Sequence, residues 1–320
     1  MQTPILILSS AVVLCASLAQ AQTYPARPLR LVVASAAGAT TDIVGRIVAQ
    51  KLSEGLGHGV GVDNRPGAGG NIAAEMVSKS PPDGYTLLLG FPGLATNPSL
   101  YPQLAYDPQK DLAPISLVSS GPLLLVVHPS LPATNVKQLI ALAKTRPGDL
   151  TFPSVGSGTT SHLSGELFKS LAHVEMLHVP YKSFPQALID LSSGRISLMI
   201  NAIPGLLPYV KAGKLRGLAI TSARRTVLLP ELPTVIEAGL PGYEVVTWNG
   251  ILVAPATPQD IVQRLNVEIG KALKAQDARD QFINIGFDLI PGTPAQFAAY
   301  IREETAKWSR VIRQSGAKLD

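Results

Sequence analysis

The sequence has little that would support thiol or nucleic-acid chemistry. Its 320 residues include one cysteine, Cys15, which lies in an N-terminal segment that we expect to be removed. The mature chain would then have no thiol for catalysis or for a disulfide, so it suits an oxidising compartment without depending on one. Charged residues make up 15% of the chain and aromatic residues 5%. No basic run alternates with aromatics, which argues against a nucleic-acid partner.

Signatures of catalysis are also missing. Ser157 lies between Gly156 and Gly158, but this spacing does not match the Gly-x-Ser-x-Gly motif of a serine hydrolase. No His-Glu-x-x-His motif occurs, and His173 and His178 lack the spacing of helical metal ligands. We therefore predict a protein that is not an enzyme and needs no metal or cofactor. A hydrolase is the disfavoured alternative.

The N-terminus has the pattern of an export signal. Residues 5–18 are mostly apolar and too short to span a bilayer comfortably. Ala19-Gln20-Ala21 fits a small-x-small cleavage site. We predict that residues 1–21 are a signal peptide cleaved after Ala21 and that the mature protein is periplasmic. An uncleaved anchor is the alternative that the segment's length disfavours.

Two distant segments share one pattern, in which a short strand is followed by a loop of small residues and a helix start. Residues 31–33 precede one loop and the pair Thr40-Thr41, and residues 150–153 precede another loop and Thr159-Thr160. The first N–H groups of a helix lack partners within the helix, and the helix dipole favours an anion there. The repetition predicts two similar lobes, each contributing one side of a site.

Superposition of the two Thr-Thr pairs gives the expected register of these segments. We expect Asp42 to cap its helix and hold water, because a carboxylate has the wrong sign to contact an anion, with binding of a ligand ammonium as the alternative. His162, in the first turn of the second helix, is expected to cap or to be hydrogen-bonded rather than to act as a base. In this superposition Gly38 faces Ser157, Ala39 faces Gly158, and Asp42 faces Ser161.

The rest of the chain alternates strands and helices, which predicts an α/β protein with a parallel or mixed sheet covered on both faces. We expect residues 91–98 to be a loop that faces the same cleft, and residues 123–128 to be a strand. The first helix is expected to bury Ile43, Ile47, Val48 and Leu52. The last helix, over residues 294–314, carries an aromatic stripe that we interpret as a docking face rather than a ligand site. The stripe consists of Phe297, Tyr300, Ile301, Trp308 and Ile312.

Several motifs in order resemble those of one receptor family. They occupy residues 64–71 (Asn-Arg-Pro-Gly-Ala-Gly-Gly-Asn), 83–87 (Asp-Gly-Tyr-Thr-Leu), 97–101, 178–182 (His-Val-Pro-Tyr-Lys), 212–216, 232–235 and 293–308. Together they resemble the periplasmic receptors of tripartite tricarboxylate transporters, also called the Bug family. The chain departs from the usual family pattern at Ala34-Ser35, at Ala39 and over residues 183–186.

The resemblance implies a two-lobed periplasmic-binding-protein fold of the Venus flytrap, type II-like kind. Lobe 1 is expected to comprise residues 22–125 and 247–320, and lobe 2 residues 126–246. The implied function is that of an extracytoplasmic solute receptor that binds a small organic carboxylate between the lobes. The carboxylate is expected to be a mono-, di- or tricarboxylate, an acidic amino acid or an aromatic acid.

The candidate ligand-binding residues combine the two loops with one amide at the carboxyl end of a strand. They are Ser35, Ala36, Gly38, Ala39, Thr40, Asp42, Ser154, Gly156, Ser157, Gly158, Thr159, His162 and Asn201. Asn201 is expected to contact the far end of the ligand, with a structural amide as the alternative. The expected partners are membrane transporter subunits or, alternatively, a sensor kinase, and the receptor is expected to be a monomer.

Overall fold

The computed structural model describes residues 24–318. The predicted signal peptide, with Cys15, lies outside the described residues. Strands and helices alternate along most of the chain. The strands are β1 (Leu29–Val33), β2 (Val60–Asn64), β3 (Thr86–Gly90), β4 (Ala113–Val127), β5 (Thr151–Ser154), β6 (Leu177–Pro180), β7 (Leu198–Ala202), β8 (Arg216–Ile220), β9 (Val246–Val253) and β10 (Asp288–Leu289).

The helices lie between these strands and at the C-terminal end of the described chain. They are α1 (Thr40–Leu56), α2 (Asn71–Ser78), α3 (Gly93–Leu100), α4 (Val136–Thr145), α5 (Thr160–Ala172), α6 (Phe184–Ser192), α7 (Ile203–Lys211), α8 (Gln259–Ala272), α9 (Gln276–Asn284) and α10 (Pro294–Ser315). A short 3-10 helix (Ala68–Gly70) precedes α2. None of the helices within residues 24–318 is long and apolar enough to cross a membrane.

The principal sheet is mixed, as the alternation of elements predicts. Its order is β10-β4-β9-β3-β1-β2, with β1 parallel to β2 and β3, and β9 antiparallel to β3 and β4. In β1, Leu31 and Val33 pack into one hydrophobic cluster and Val32 into another, and all three are fully buried. Both faces of the sheet are therefore covered, which accounts for the unbroken apolar run.

The first helix buries a slightly different face from the one predicted. Val44, Ile47, Val48 and Leu52 are buried in α1, whereas Ile43 is 39% exposed. The buried stripe is centred on Val44 and Val48, so Ile43 lies beyond its edge. The inclusion of Ile43 was therefore wrong.

The prediction of a loop over residues 91–98 was also wrong, because most of this segment is helix α3. Pro98 lies inside the helix and disfavours it in isolation. Tertiary contacts stabilise it instead, since Leu94 is fully buried and Asn97 donates a hydrogen bond of 2.8 Å to Asn71 Oδ1.

Strand β4 begins well before the predicted apolar run at residues 123–128. Its first part, from Ala113 through Pro122, pairs with β9, although Ser116 and Ser119 interrupt the apolar pattern there. Its last part pairs with β7 and β8. One continuous strand therefore belongs to two groups of strands.

The aromatic stripe on α10 is confirmed as a docking face. Thr293 and Gln296 start the helix with a capping box, which satisfies two otherwise unpaired N–H groups. The helix packs against α3, β4 and α5. Four residues of the stripe are no more than 4% exposed: Phe297, Ile301, Trp308 and Ile312.

Candidate ligand-binding site

The two predicted strand–loop–helix units are both present. In the first, β1 ends at Val33 and α1 begins at Thr40; in the second, β5 ends at Ser154 and α5 begins at Thr160. We call the connecting segments the first loop (residues 34–39) and the second loop (residues 155–159). Each loop leads directly from the carboxyl end of a strand into the positive end of a helix dipole.

The two loops end in the same backbone conformation. Gly38 and Gly158 have φ angles of +82° and +79°, in the left-handed region that favours glycine. Each glycine directly precedes an extended N-cap residue, Ala39 or Thr159. The N–H group of that N-cap residue donates to the carbonyl oxygen three residues earlier, at 3.2 Å in the first loop and 3.4 Å in the second.

The predicted register, in which Asp42 faced Ser161, is therefore wrong by one residue. The Thr-Thr pairs misled the superposition because they occupy different positions relative to the N-cap. The register is set by the left-handed glycine at the end of each loop. The corrected pairs are Gly38 with Gly158, Ala39 with Thr159, and Asp42 with His162.

Asp42 closes the first loop from behind and is 2% exposed. Its Oδ2 accepts hydrogen bonds from Gly38 N–H at 2.8 Å and Arg46 Nε–H at 2.9 Å, and its Oδ1 accepts one from Asn64 Nδ2 at 2.9 Å. Burial alone would raise the pKa of Asp42, but the bonds from Arg46, Gly38 and Asn64 outweigh it and hold the pKa below its ordinary value. The carboxylate lies in the first turn of α1, whose N-cap residue is Ala39.

In the second loop a histidine takes the place of that carboxylate. Gly158 N–H donates to Nδ1 of His162 at 2.9 Å, and His162 is 4% exposed. Its ring stacks on that of His178, with centroids 3.8 Å apart and an angle of 15° between the planes. Nε2 of His178 lies 2.7 Å from Ser154 Oγ. The stacked pair thus supports the second loop, with His162 buried and His178 partly exposed.

A cavity of about 300 Å³ lies where the second loop faces the start of α1 and helix α3. None of its lining side chains is charged. Within residues 24–318, no group of three or more His, Cys, Asp or Glu side chains is arranged to hold a metal ion. The lining consists of Thr41, Gly69, Phe91, Pro92, Gly93, Thr96, Asn97, Leu100, Tyr101, Ser157, Gly158, Thr159, Thr160 and Thr247.

The predicted site residues divide into three groups in this structure. Ser157, Gly158 and Thr159 line the cavity. Asp42, Ser154 and His162 are buried behind the loops. The others lie outside the lining, and Asn201 Oδ1 accepts from Ala202 N–H at 2.7 Å, which fits the structural-amide alternative. Those others are Ser35, Ala36, Gly38, Ala39, Thr40, Gly156 and Asn201.

The wall opposite the second loop comes mostly from residues 91–98. These residues were correctly predicted to face the cleft but wrongly predicted to form a loop. Residues 91–98 face the cavity as expected, with Phe91 among the lining residues. Gly69 was missed because residues 64–71 were considered as a family motif and not as part of the site. Its carbonyl oxygen accepts a hydrogen bond from Asn97 Nδ2 at 3.0 Å. Thr247, on β9, was missed because nothing in the local pattern distinguishes it.

An α/β fold with an uncharged cavity between two helix starts is that of a two-lobed, periplasmic type of solute-binding protein. The chain belongs to the tripartite tricarboxylate transporter receptor family, whose sequence profile matches residues 44–317. The family resemblance and the fold class are therefore confirmed. The protein is a periplasmic solute receptor and not an enzyme.

The chain is similar to characterised relatives over most of its length. Protein BugT of Bordetella pertussis is 37% identical over 301 residues, which are 93% of this chain and 92% of BugT. A solved structure of an R. palustris protein with adipate is 40% identical, with a TM-score of 0.81, and covers 92% of this chain and 100% of that one. MatC from Rhodopseudomonas palustris with bound malate is 32% identical, with a TM-score of 0.77 over 90% of this chain and 100% of MatC.

Proposed function

We propose that this receptor binds a small organic carboxylate in the cavity between the second loop and α3, and delivers it to the membrane subunits of a tripartite tricarboxylate-type transporter. The observation that carries the proposal is an uncharged lining with hydroxyl groups and backbone N–H groups around the start of α5. Such a site binds an anion through hydrogen bonds and the helix dipole rather than through an ion pair. Adipate and malate in the related structures support a dicarboxylate.

The required binding energy fits this kind of site. Micromolar affinity corresponds to about 8 kcal/mol, and a hydrogen bond to a charged group contributes roughly 1.5–3 kcal/mol. About four such bonds are therefore needed, and they reach these values only where water is excluded. We propose that the lobes close around the ligand to exclude water. Phe91 and Leu100 offer apolar surface to the carbon chain of the ligand.

Several finer features belong to the same proposal. Backbone N–H groups within residues 36–40 and 156–159 bind the carboxylate once the lobes close, while the N–H groups of Gly38 and Gly158 keep their hydrogen bonds to Asp42 and His162. Lobe 1 comprises residues 22–125 and 247–320 and lobe 2 residues 126–246, a division supported by the way β4 pairs with two groups of strands. The signal peptide is cleaved after Ala21, and the mature receptor is a monomer.

The test is a binding screen of the mature protein after unfolding and refolding to remove bound ligand. Adipate, malate, citrate, aspartate and benzoate represent the candidate classes. A ligand that binds only the folded state raises the melting temperature. We expect a saturable rise with adipate or malate, confirmed by calorimetric titration, and little effect of benzoate.

A folded sample that responds to none of these acids would contradict carboxylate binding. Delivery is tested by co-purification of the adipate-loaded receptor with the two membrane subunits of the transporter. Capture of a membrane sensor kinase instead would replace the transporter as the partner while leaving the ligand assignment in place.

A further inference from the structure

We infer that His162 is a positioning residue, which holds the second loop in its ligand-binding conformation by accepting the Gly158 N–H group, and that it does so only while its ring is neutral. The inference rests on the proposed function only in taking the second loop as part of the ligand site. Its basis is the 2.9 Å bond from Gly158 N–H to His162 Nδ1, on a ring that is nearly inaccessible to solvent.

The direction of this hydrogen bond fixes the protonation state of the ring. A backbone N–H can only donate, so Nδ1 must offer its lone pair and the proton of the neutral ring must lie on Nε2. In the imidazolium form both ring nitrogens carry protons. The Nδ1–H and the Gly158 N–H would then face each other as two donors, and the bond that anchors the loop would be lost.

The first loop shows why a histidine, and not an acid, stands at this position. Asp42 accepts the equivalent Gly38 N–H at 2.8 Å, but it also places a negative charge at the start of α1. The first turn of α5 contains no acidic residue. His162 therefore supplies the acceptor that the loop requires without a negative charge in the first turn of α5, and the dipole of that helix remains available to an anion.

The groups around His162 have opposing effects on the protonation of its ring. Glu166 Oε1 lies 3.9 Å from Nε2 and would favour a cation, but Glu166 is already paired with Lys169 at 2.9 Å. The ring of His178 is stacked 3.8 Å away, so simultaneous positive charges on the two rings would repel each other. Phe152, which also stacks on His162, contributes no charge.

This arrangement predicts that affinity falls as the pH is lowered through the range in which histidines gain a proton, about pH 8 to 5. The sign follows from linkage, because the ligand binds the form with neutral His162 and added protons deplete that form. The carboxylate of Asp42 has a lowered pKa and stays ionised throughout this range. The first loop should therefore contribute no pH dependence.

The first measurement needs no ligand. In protein labelled with ¹⁵N, NMR follows the His162 ring nitrogens and the Gly158 amide from pH 8 to 5. We expect Nδ1 to be unprotonated at pH 8. The ring and the Gly158 amide should titrate with the same midpoint, and the titration of the amide should disappear in His162→Asn. A proton on Nδ1 at pH 8, or a Gly158 amide that titrates unchanged in His162→Asn, overturns the inference.

The second measurement is calorimetric titration with adipate. His162→Leu removes the acceptor and should weaken adipate binding about tenfold at pH 8. His162→Asn places an amide oxygen near the position of Nδ1, so it should restore most of this affinity and abolish the pH dependence. Titration of adipate itself affects both proteins equally. Dividing the wild-type affinity by that of His162→Asn at each pH therefore removes this contribution.

The matched control is His173→Asn, because His173 has a φ of +53° at the C-cap of α5, a conformation that asparagine tolerates. It should keep both the affinity and the pH dependence of the wild type. Equal affinity of His162→Leu and His162→Asn, with both folded by circular dichroism, overturns the inference. If adipate does not bind the wild type, carboxylate binding fails and the NMR measurement still decides the role of His162.

Discussion

At the scale of single residues, Gly158 both determines the conformation of the second loop and lines the cavity. Its φ is +79°, and its backbone lines the cavity. We expect Gly158→Asp to abolish adipate binding, because a carboxylate there repels the anion and fills its place. Calorimetric titration gives the affinity, and circular dichroism establishes that the variant is folded.

The control for this prediction is Gly148→Asp. Gly148 has a φ of +80° and nothing within 4 Å of an added Cβ, so it places the same side chain on the same backbone conformation away from the cavity. It should bind adipate as the wild type does. Wild-type affinity in folded Gly158→Asp would remove the second loop from the site.

The buried carboxylate of Asp42 makes a separate prediction about stability. Asp42→Asn turns one acceptor into a donor that opposes Asn64 or Gly38, so the free energy of unfolding should fall by about 1–3 kcal/mol at pH 7. The pKa of Asp42 is lower in the folded state, so its stabilising effect is complete above the unfolded value of about 3.9 and is lost as the pH falls through the folded value. Urea unfolding should show a smaller difference in the free energy of unfolding between the two proteins at about pH 3.5 than at pH 7.

The same variant decides between the two roles considered for Asp42. Its carboxylate already accepts three hydrogen bonds, so we expect Asp42→Asn to change the affinities for malate and aspartate by the same factor. A selective loss of aspartate binding would instead support the contact with a ligand ammonium group. Parallel titrations with the two ligands measure this ratio.

At the scale of elements, the glycine-rich segment before α2 shapes one wall of the cavity. Gly70 has a φ of +90°, and a Cβ there would lie 2.1 Å from Cζ of Phe91, which lines the cavity. Gly70→Ala should lower the free energy of unfolding by about 2–4 kcal/mol and weaken adipate binding. Gly57→Ala, with a φ of +68° and open space around the added Cβ, should cost only about 1–2 kcal/mol and leave binding unchanged. Equal effects of the two variants on affinity would contradict a role for Phe91.

Local sequence signals predicted those elements whose ends are marked by their own residues. Helix α4, for example, begins directly after Asn135, which caps it by accepting Gln138 N–H at 2.9 Å. Helix α3 and the first part of β4 were not predicted, since Pro98 and the buried serines of β4 are accommodated by contacts with distant parts of the chain. Such contacts leave no periodic pattern.

In the candidate site, too, residues marked by a local pattern were predicted and residues brought in by distant packing were not. The two loops were found because small residues beside helix starts form a local pattern, and three of the predicted residues line the cavity. Their register was not predicted correctly, because it depends on which glycine adopts a left-handed conformation. Gly69 and Thr247 reach the cavity only through the packing of α3 and β9, so no local pattern could have identified them.

At the scale of the whole molecule, strand β4, its partner β9 and helix α10 connect the parts that border the cavity. Strand β4 pairs with β9 along its first part and with β7 and β8 along its last part. Helix α10 packs against α3, which lines the cavity, and against α5, whose start faces it. Any change in the separation of the two loops must therefore be accommodated by β4, β9 and α10, which makes them the expected hinge.

Closure of the proposed lobes can be measured with spin labels, because the chain has no cysteine beyond Cys15. In mature protein carrying Val267→Cys and Ile189→Cys, which replace side chains 51% and 66% exposed on α8 and α6, one label lies in each proposed lobe. Adipate at saturation should shift and narrow the distance distribution between these labels. The control pair, Val267→Cys with Ile283→Cys on α8 and α9, lies within lobe 1 and should not respond. If a sample that binds adipate shows no change in the distance for the first pair, the ligand enters a cavity that is already closed. The hinge assigned to β4, β9 and α10 would then be unnecessary for binding.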